Sequence, residues 1–401
     1  MTSWKRNFYI MSAGQAVSYI GSAAVQFSLI WWLTKETGSA LMLSLAGLCA
    51  HLPQALLGPF AGVWVDRLKR KTVIIAADMF TGLAALAFAS AFFFRPPPAW
   101  AVCAVLGIRA IGGVFQYPAG AAAISLLVPK EELVKANSVS QFIMVGSFML
   151  GPVIGAAMSA AWSMEIILLS DTAGALAACA AVAVIKIPEL APAVREKKRF
   201  FQEMKDGAAI YIEDKKLFFL VVFSMLVMLF IMPLSSMYPL MVYKHFGGRE
   251  WQLSIVQVVY GAGMLAGAVV MGALGGRIKN KIAASVGGLF IYAVTCLASG
   301  ALPPTAAGLW LFAGICVVMG SGNNVFNIPL MAYMQETIPN EKQGRAFSLL
   351  SCLMSLAMPV GLVIAGPAAE NFGVAFYFLI AGGVSLVITV ICLFTVRKHS
   401  A

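Results

Sequence analysis

Gly62-Val63-Trp64-Val65-Asp66-Arg67-Leu68-Lys69-Arg70-Lys71 is a short basic turn between two long apolar runs, Leu41 to Val65 and Thr72 to Phe94. Four cations on so short a connection resist transfer across a bilayer, which predicts a cytoplasmic turn between two membrane spans. Gly58 and Gly62 let the flanking helices come close, and Asp66 has Arg67 and Arg70 within reach. The construction returns as Gly272-Ala273-Leu274-Gly275-Gly276-Arg277-Ile278-Lys279-Asn280-Lys281, an offset of 210 residues. The turn therefore points to a membrane chain built twice.

Composition agrees. Of 401 residues, 60% are hydrophobic and 11% charged; a soluble domain carries about 25% charged residues. In a soluble protein a net charge of +11 would raise nucleic-acid binding, but here the cations sit between apolar spans. Topology accounts for them, and no nucleic-acid partner is expected. Met1 to Ile10 is charged and aromatic, and the apolar run behind it is as long as a full span. It reads as a retained first helix rather than a cleaved signal. The seven cysteines fall singly in apolar segments with no CxxC or mixed Cys/His cluster. Free buried thiols are expected, with no disulfide, metal or cofactor.

A span needs about 20 apolar residues. Twelve runs qualify, at 7–33, 40–65, 72–94, 99–128, 134–160, 163–187, 215–243, 250–275, 281–301, 305–335, 343–369 and 372–396. The long polar connection from Ile187 to Asp214 separates a bundle over 1–187 from one over 215–401, with a cytoplasmic loop at 188–214. Within it, Phe200-Phe201 and Ala208 to Ile212 suggest a short amphipathic helix on the membrane surface. With both termini inside, 23 Lys and Arg fall on inner segments, four on outer segments and one, Arg109, within a span. This asymmetry predicts cytoplasmic termini.

The repeat is nearly gap-free. At the same offset Lys5 matches Lys215, Gly38 matches Gly248, Leu43-Ser44 matches Leu253-Ser254, and Pro129 matches Pro339. These identities fall at equivalent loops and helix ends, which favours duplication. Six plus six spans in one orientation give the parallel-repeat arrangement of transporters, with a site expected between the halves.

Three motifs carry a resemblance to a known family. The first turn matches a Gly-x-x-x-Asp-Arg-x-Gly-Arg-Arg/Lys pattern at Gly62, Asp66, Arg67, Arg70 and Lys71, with Lys69 in place of a glycine. Arg109-Ala110-Ile111-Gly112-Gly113 follows on the fourth span, and Gly151-Pro152-Val153-Ile154-Gly155 on the fifth. Together they resemble the major facilitator superfamily. Trp4 to Tyr9, Gly14 to Ser18, Leu29 to Thr34 and Leu52 to Ala55 look like the opening of its macrolide-efflux branch. The resemblance implies an all-α membrane fold of two six-helix repeats in the cytoplasmic membrane. It also implies export of macrolide-type or other lipophilic drugs in exchange for protons. Gly151, Pro152 and Gly155 would be its antiporter motif, and the first basic turn a cytoplasmic gate. In the second half Gly276 stands where that motif has Asp.

Arg109 lies about ten residues, or about 15 Å, into its span. Placing an arginine there costs at least about 2.5–3.5 kcal/mol, so it must face water or partners. Its candidate partners are Asp78 on the third span and Asp171 on the sixth. Two readings stand: a structural ion pair, or a proton-linked switch in which the Arg–Asp distance changes between states. Asp78 has a further alternative, a network with Asp66 and Arg70. Glu165 and Glu370 are expected to be solvated at the outer ends, and His51 to sit in a helix contact. Gln15, Tyr19, Gln26, Phe115, Gln116, Asn323, Asn324 and Asn327 are candidates for the substrate cavity. The alternative for the amides is simple hydrogen bonding between helices. Pro152, Pro329 and Pro359 are expected to mark helix breaks or close approaches.

The leading expectation is a monomeric proton-coupled exporter whose partners are a small lipophilic substrate, protons and membrane lipid. A lipid or lipid-linked precursor flippase and a metabolite symporter could use the same fold. The sequence holds no HExxH and no nucleotide-binding glycine loop, which argues against an intramembrane enzyme or an ATP-driven pump.

Overall fold

In lipid an apolar run must satisfy every backbone N–H and C=O internally, and for runs of this length a helix does so. The computed structural model describes residues 3–94, 96–129, 132–188, 209–212, 214–274, 278 and 280–398. Within these, the side chains at 3, 59, 62, 63, 66, 67, 134, 274, 340, 341, 344, 345, 348, 397 and 398 lie outside the description. Most of the expected central loop and the second basic turn fall outside it too; 209–212 is one helical turn.

The first half contains α1 (Ser3–Thr37), α2 (Ala40–Arg67), α3 (Arg70–Phe94), α4 (Ala99–Leu127), α5 (Leu133–Ala161) and α6 (Met164–Val184). The second contains α7 (Lys215–Ile231), α8 (Leu234–Leu240), α9 (Glu250–Leu274), α10 (Lys281–Gly300), α11 (Ala306–Thr337), α12 (Asn340–Phe372) and α13 (Val374–Lys398). Among the described residues twelve stretches are long and apolar enough to cross a membrane. The seventh, Lys215–His245, joins α7, α8 and a π turn at Met241–His245. No strand occurs among the described residues. Polar caps mark several starts: Asp214 accepts from the N–H of Lys216 (2.9 Å) and Leu217 (3.2 Å) at α7, and Asn280 and Thr305 do the same for α10 and α11.

The described residues form two units, one drawn from Met1–Thr37 and Leu45–Arg195, the other from Gly38–Ser44 and Glu196–Ala401. In the first, α1 packs on α5 and α6, and α3 on α4 and α6. In the second, α7 packs on α12 and α13, and α10 on α11 and α13. These pairings correspond at the sequence offset, whereas the extensive α9–α11 packing of the second unit has no counterpart of like extent between α2 and α4 among the described residues. Small residues make them possible, since membrane helices associate by close packing rather than by escape from water. A Cβ at Gly155 would lie 2.6 Å from the Ala24 carbonyl, so α5 meets α1 almost backbone to backbone. Ser28 crosses the same contact, donating to Gly155 O at 3.1 Å.

Of the two expectations for Pro152, Pro329 and Pro359, helix breaks do not occur, since all three lie inside continuous helices, while Pro152 sits in the close α5–α1 approach between Gly151 and Gly155. The break falls instead at Met232 and Pro233, between α7 and α8. Proline has no N–H and removes the hydrogen bond that Leu229 O would accept. The bare Gly361 of α12 covers that carbonyl, and the Tyr377 hydroxyl of α13 donates to the next one, Phe230 O, at 3.1 Å.

Three charged groups have work the sequence did not assign. Lys71 Nζ donates to Ala183 O (2.6 Å) and Ile185 O (2.9 Å), a cation at the C-terminal end of α6 where the helix dipole favours it. Glu370 is exposed, as expected, yet it accepts from Ala40 N (2.6 Å), Leu41 N (3.2 Å) and Ser39 Oγ (3.1 Å) at the first turn of α2. Lys281 pairs with Glu336 across the α10–α11 contact. Beside the second unit's helices, Tyr211 donates to Ala346 O at 2.8 Å, and burial pushes its phenol above the usual range.

Candidate functional site

The first unit holds a polar interior at the contacts of α1, α3, α4 and α6. Apolar packing brings these helices together, and each sends one or two polar side chains inward. Arg109 of α4 is 8% exposed and Asp171 of α6 is 2% exposed, and the two form an ion pair. Ser22 of α1 closes the arrangement. Its hydroxyl donates to Asp171 Oδ1 at 2.8 Å, and its carbonyl accepts from Arg109 Nη2 at 3.3 Å. A charge this deeply buried needs such a partner, because an unpaired ion in an apolar interior costs several kcal/mol.

Asp78 of α3, 5% exposed, has different company. Gln15 of α1 donates to its Oδ2 at 3.0 Å, and Gln116 of α4 donates to its Oδ1 at 3.0 Å. The second N–H of Gln116 goes to Gln15 Oε1, so two amides and one carboxylate close a ring. Tyr19 of α1 shares Gln116 as a hydrogen-bond partner. Arg109 therefore takes Asp171, and Asp78 is held by neutral groups, the two amides and the Ser18 hydroxyl. An ionised carboxylate accepts hydrogen bonds only, which fixes each amide nitrogen toward Asp78.

Two cavities flank this ring. The smaller, about 250 Å³, is lined by Ser22, Gln26, Asp78, Thr81, Arg109 and Gln116, among others. The larger, about 560 Å³, lies among α1, α4 and α5, and its wall includes Met11, Tyr117, Asn137, Gln141, Met144 and Phe148. No charged side chain lines it. Its size suits a small-molecule site, and its mixture of apolar surface with scattered polar groups is typical of one. Tyr19 and Gln116 line both cavities, and Gln15 the larger one.

The structure thus gathers Gln15, Tyr19, Gln26 and Gln116 around Asp78, Arg109 and Asp171. Phe115 is not among them. One residue from Gln116, it points to another side of α4, stacks on Trp64 of α2 at 5.8 Å between ring centres, and lines a groove of about 530 Å³ against α3. Asn323, Asn324 and Asn327 lie in the second unit. Asn324 donates to Met264 O at 2.6 Å, Asn323 to the Tyr292 hydroxyl at 3.4 Å, and Asn327 to Asn323 Oδ1 at 3.1 Å. The Asn323 and Asn324 bonds cross to α10 and α9, the alternative that the sequence left open, whereas that of Asn327 stays within α11. His51 lies on α2 with part of its surface exposed. Of the gate motif, the side chains of Gly62, Asp66 and Arg67 lie outside the described residues; Lys71 caps α6. Gly151 and Gly155 form the seam between α5 and α1, where a Cβ on Gly151 would run into Ala23.

The sequence reading missed the α5 wall of the larger cavity. Its signal was present: Asn137, Ser140, Gln141, Met144, Ser147 and Phe148 recur at steps of three and four, one face of a helix. Ser22 was missed as well, one turn from Tyr19 on α1.

A twelve-helix membrane bundle in two units, with an ion pair and a second carboxylate buried between apolar helices, has the construction of a secondary transporter. The sequence model of the Major Facilitator Superfamily matches residues 11–249 and 217–401. Macrolide efflux protein A of Streptococcus pyogenes is 36% identical over 391 residues, covering 97% of this chain and 96% of that protein. The multidrug efflux pump Tap of Mycolicibacterium fortuitum is 26% identical over 412 residues, covering 99% and 98%. The crystal structure of the nucleoside transporter NupG superimposes with a TM-score of 0.75 at 12% identity, covering 98% of this chain and 99% of that one, a likeness of fold alone. The chain belongs to the Major Facilitator Superfamily. It is a multi-pass membrane transporter of small substrates.

Proposed function

We propose that this transporter exports macrolide-type or related lipophilic drugs from the cytoplasm in exchange for protons, as a monomer with both termini cytoplasmic. The observation that carries the reading is the juxtaposition in the first unit of an uncharged cavity of about 560 Å³ with a buried carboxylate held only by neutral groups. The relatives named for macrolide and multidrug efflux supply the direction and the cargo. The mixture of Met and aromatic side chains in the cavity wall suits varied lipophilic ligands, because such side chains repack.

Asp78 is the proton carrier in this reading, and Arg109–Asp171 is the fixed pair beside it. Protonating Asp171 would strand the Arg109 charge in an apolar interior. Protonating Asp78 strands no charge, since an amide can turn to accept its proton. Arg109 and Asp171 instead hold α4 to α6, with Ser22 of α1 across the pair. The outside-facing helix ends and the basic turn would hold the alternating conformations, with Lys71 securing α3 to α6.

Transport into proteoliposomes under an imposed pH gradient, with a panel of macrolides, dyes and fluorescent lipids, tests the proposal. Gradient-dependent macrolide movement is the expected result. Movement of lipid alone would assign a flippase, and drug movement indifferent to the gradient would remove the proton from the mechanism.

A further inference from the structure

The wall of the larger cavity holds two sets of amides with different partners. Gln15 of α1 and Gln116 of α4 donate to Asp78. Asn137 and Gln141 of α5 line the same cavity and have no hydrogen-bond partner among the described residues. We propose that Asn137 and Gln141 are specificity-determining residues of the exporter, reading hydroxyl groups on an uncharged edge of the cargo. The proposal rests on the export reading above and assigns its recognition to one face of one helix.

Asn137, Gln141, Met144 and Phe148 recur at steps of four, three and four, so they share one face of α5. The two amides come first, one turn apart, with Cβ atoms about 5–6 Å from each other. Met144 and Phe148 continue the face, so the wall is polar at one end and apolar at the other. The serines of this face are committed within their own helix. Ser140 donates to Ala136 O at 3.1 Å and Ser147 to Ile143 O at 2.8 Å. Asn137 and Gln141 are exposed, and an amide on a membrane helix that no protein group satisfies needs water or cargo, because lipid tails offer it no partner. At the repeat offset Asn137 corresponds to Phe347 and Gln141 to Ser351, whereas Met144 corresponds to Met354 and Phe148 to Met358. The second unit keeps the apolar end of the face and drops both amides, so the packing of this helix does not call for them.

The chemistry of the wall selects the cargo. No charged side chain lines the cavity, so an ion entering it would lose hydration and meet no counter-charge. A hydroxyl has no such difficulty. An amide donates through its N–H₂ and accepts through its carbonyl, and a hydroxyl does both, so the two pair whichever way the amide turns. Two amides one turn apart hold neighbouring hydroxyls together. Gly120 and Ala121 of α4 leave room opposite, and Met144, Phe148 and Tyr117 take the apolar remainder. The matching cargo is a lipophilic ring with hydroxyls along one edge, the form of a macrolide, rather than a lipophilic cation or a dye without donors.

The test is a cycle of protein and ligand changes, read as equilibrium binding to the full-length transporter in nanodiscs. The probes are a hydroxyl-bearing macrolide and a fluorescent alkyl glucoside, each paired with an analogue from which those hydroxyls have been removed. Wild type prefers each hydroxyl-bearing probe to its analogue by at least about tenfold. Gln141→Met and Asn137→Leu, examined separately so that one suffices if the other fails to fold, nearly keep the volume of the wall. Each narrows the preference to within about threefold and leaves affinity for the analogues within about threefold of wild type. An undiminished preference in both variants would overturn the assignment. So would an equal fall in affinity for probe and analogue, the mark of a disturbed cavity, and so would a wild type without preference in either pair. A wild type that prefers the glucoside to its analogue but binds no macrolide would support the amides as hydroxyl readers and overturn the macrolide reading underneath.

Discussion

The two units answer the same packing problem with opposite chemistry. At the repeat offset of 210 residues, Asp78 corresponds to Gly288, Gln116 to Phe326, Arg109 to Met319, Asp171 to Ala381 and Gln15 to Met225. Each of these five polar residues has an apolar counterpart. The contact itself is kept: Asp78 of α3 touches Gln116 of α4, and Gly288 of α10 lies against the backbone of Phe326 of α11. Phe326 is 1% exposed and Met319 0%, so the second unit fills this space with side-chain volume. Burying polar groups costs free energy unless every one is hydrogen-bonded. The second unit shows that the scaffold does not need them. Their presence in the first is therefore best explained by function, and the comparison can be broken at several points.

The largest expected effect is at Asp78. Asp78→Asn keeps the size and most of the hydrogen bonds but cannot exchange a proton. It should reduce pH-gradient-driven macrolide export by about two orders of magnitude or more. Counterflow of labelled drug across the same liposomes, which needs no proton, should persist. Export at wild-type rates would return the proton to Asp171, the other acid in the interior.

Next come the substitutions that copy the second unit's residues into the ion pair. Arg109→Met alone leaves Asp171 buried and unpaired, and should destabilise the protein by about 3–5 kcal/mol. The double variant Arg109→Met with Asp171→Ala removes both charges and should recover to within about 1–2 kcal/mol of wild type, still driven by the gradient. Thermal unfolding of the four proteins of the cycle gives the coupling energy. A stable but gradient-blind double variant would show that the pair takes part in proton movement rather than holding helices.

These correspondences also show what the sequence made legible. The twelve spans and the duplication were readable because apolar length and cationic turns are local, additive signals. Arg109 and Asp171 were readable because an ionisable residue in a span is conspicuous in one dimension. Which acid Arg109 would choose was not, since that depends on how α1 places Ser22 against α6. Gln116 and Phe115 illustrate the same limit. Adjacent in sequence and both plausible cavity residues, they point to different sides of α4, and helix rotation follows from packing. The asymmetry of the halves could have been read from the repeat itself, by asking which ionisable residues lack a counterpart at the offset. The break at Pro233 was hidden for a related reason: its partner at the offset is Ala23, and nothing local separates Pro233 from the prolines that stay within helices.

The seams between helices offer a smaller test of the correspondence. Gly151 and Gly361 occupy equivalent places, the first against Ala23 and the second against Leu229 O and Pro233. Alanine at either should overpack its seam and cost about 1–3 kcal/mol. Gly361→Ala should cost more, because a backbone carbonyl and a proline ring yield less than the methyl of Ala23. Equal shifts in unfolding temperature would mean that the kinked seam is as compliant as the straight one.

The smallest effect expected is at Tyr377, and it concerns the kink alone. Pro233 deprives α7 of regular hydrogen bonding where α1, with Ala23, keeps it. The Tyr377 hydroxyl replaces part of that loss at Phe230 O, and its ring is 1% exposed, so Tyr377→Phe deletes a hydrogen bond with little change of packing. Hydrogen bonds between membrane helices average about 0.6 kcal/mol, and the substitution should cost about that much. If the variant instead lost more than about 2 kcal/mol, several times that average, the hydroxyl would be holding the break in place rather than satisfying it. The kink would then be a stored distortion that α13 imposes on α7, and the straightness of α1 would reflect the absence of such a restraint as much as the absence of proline.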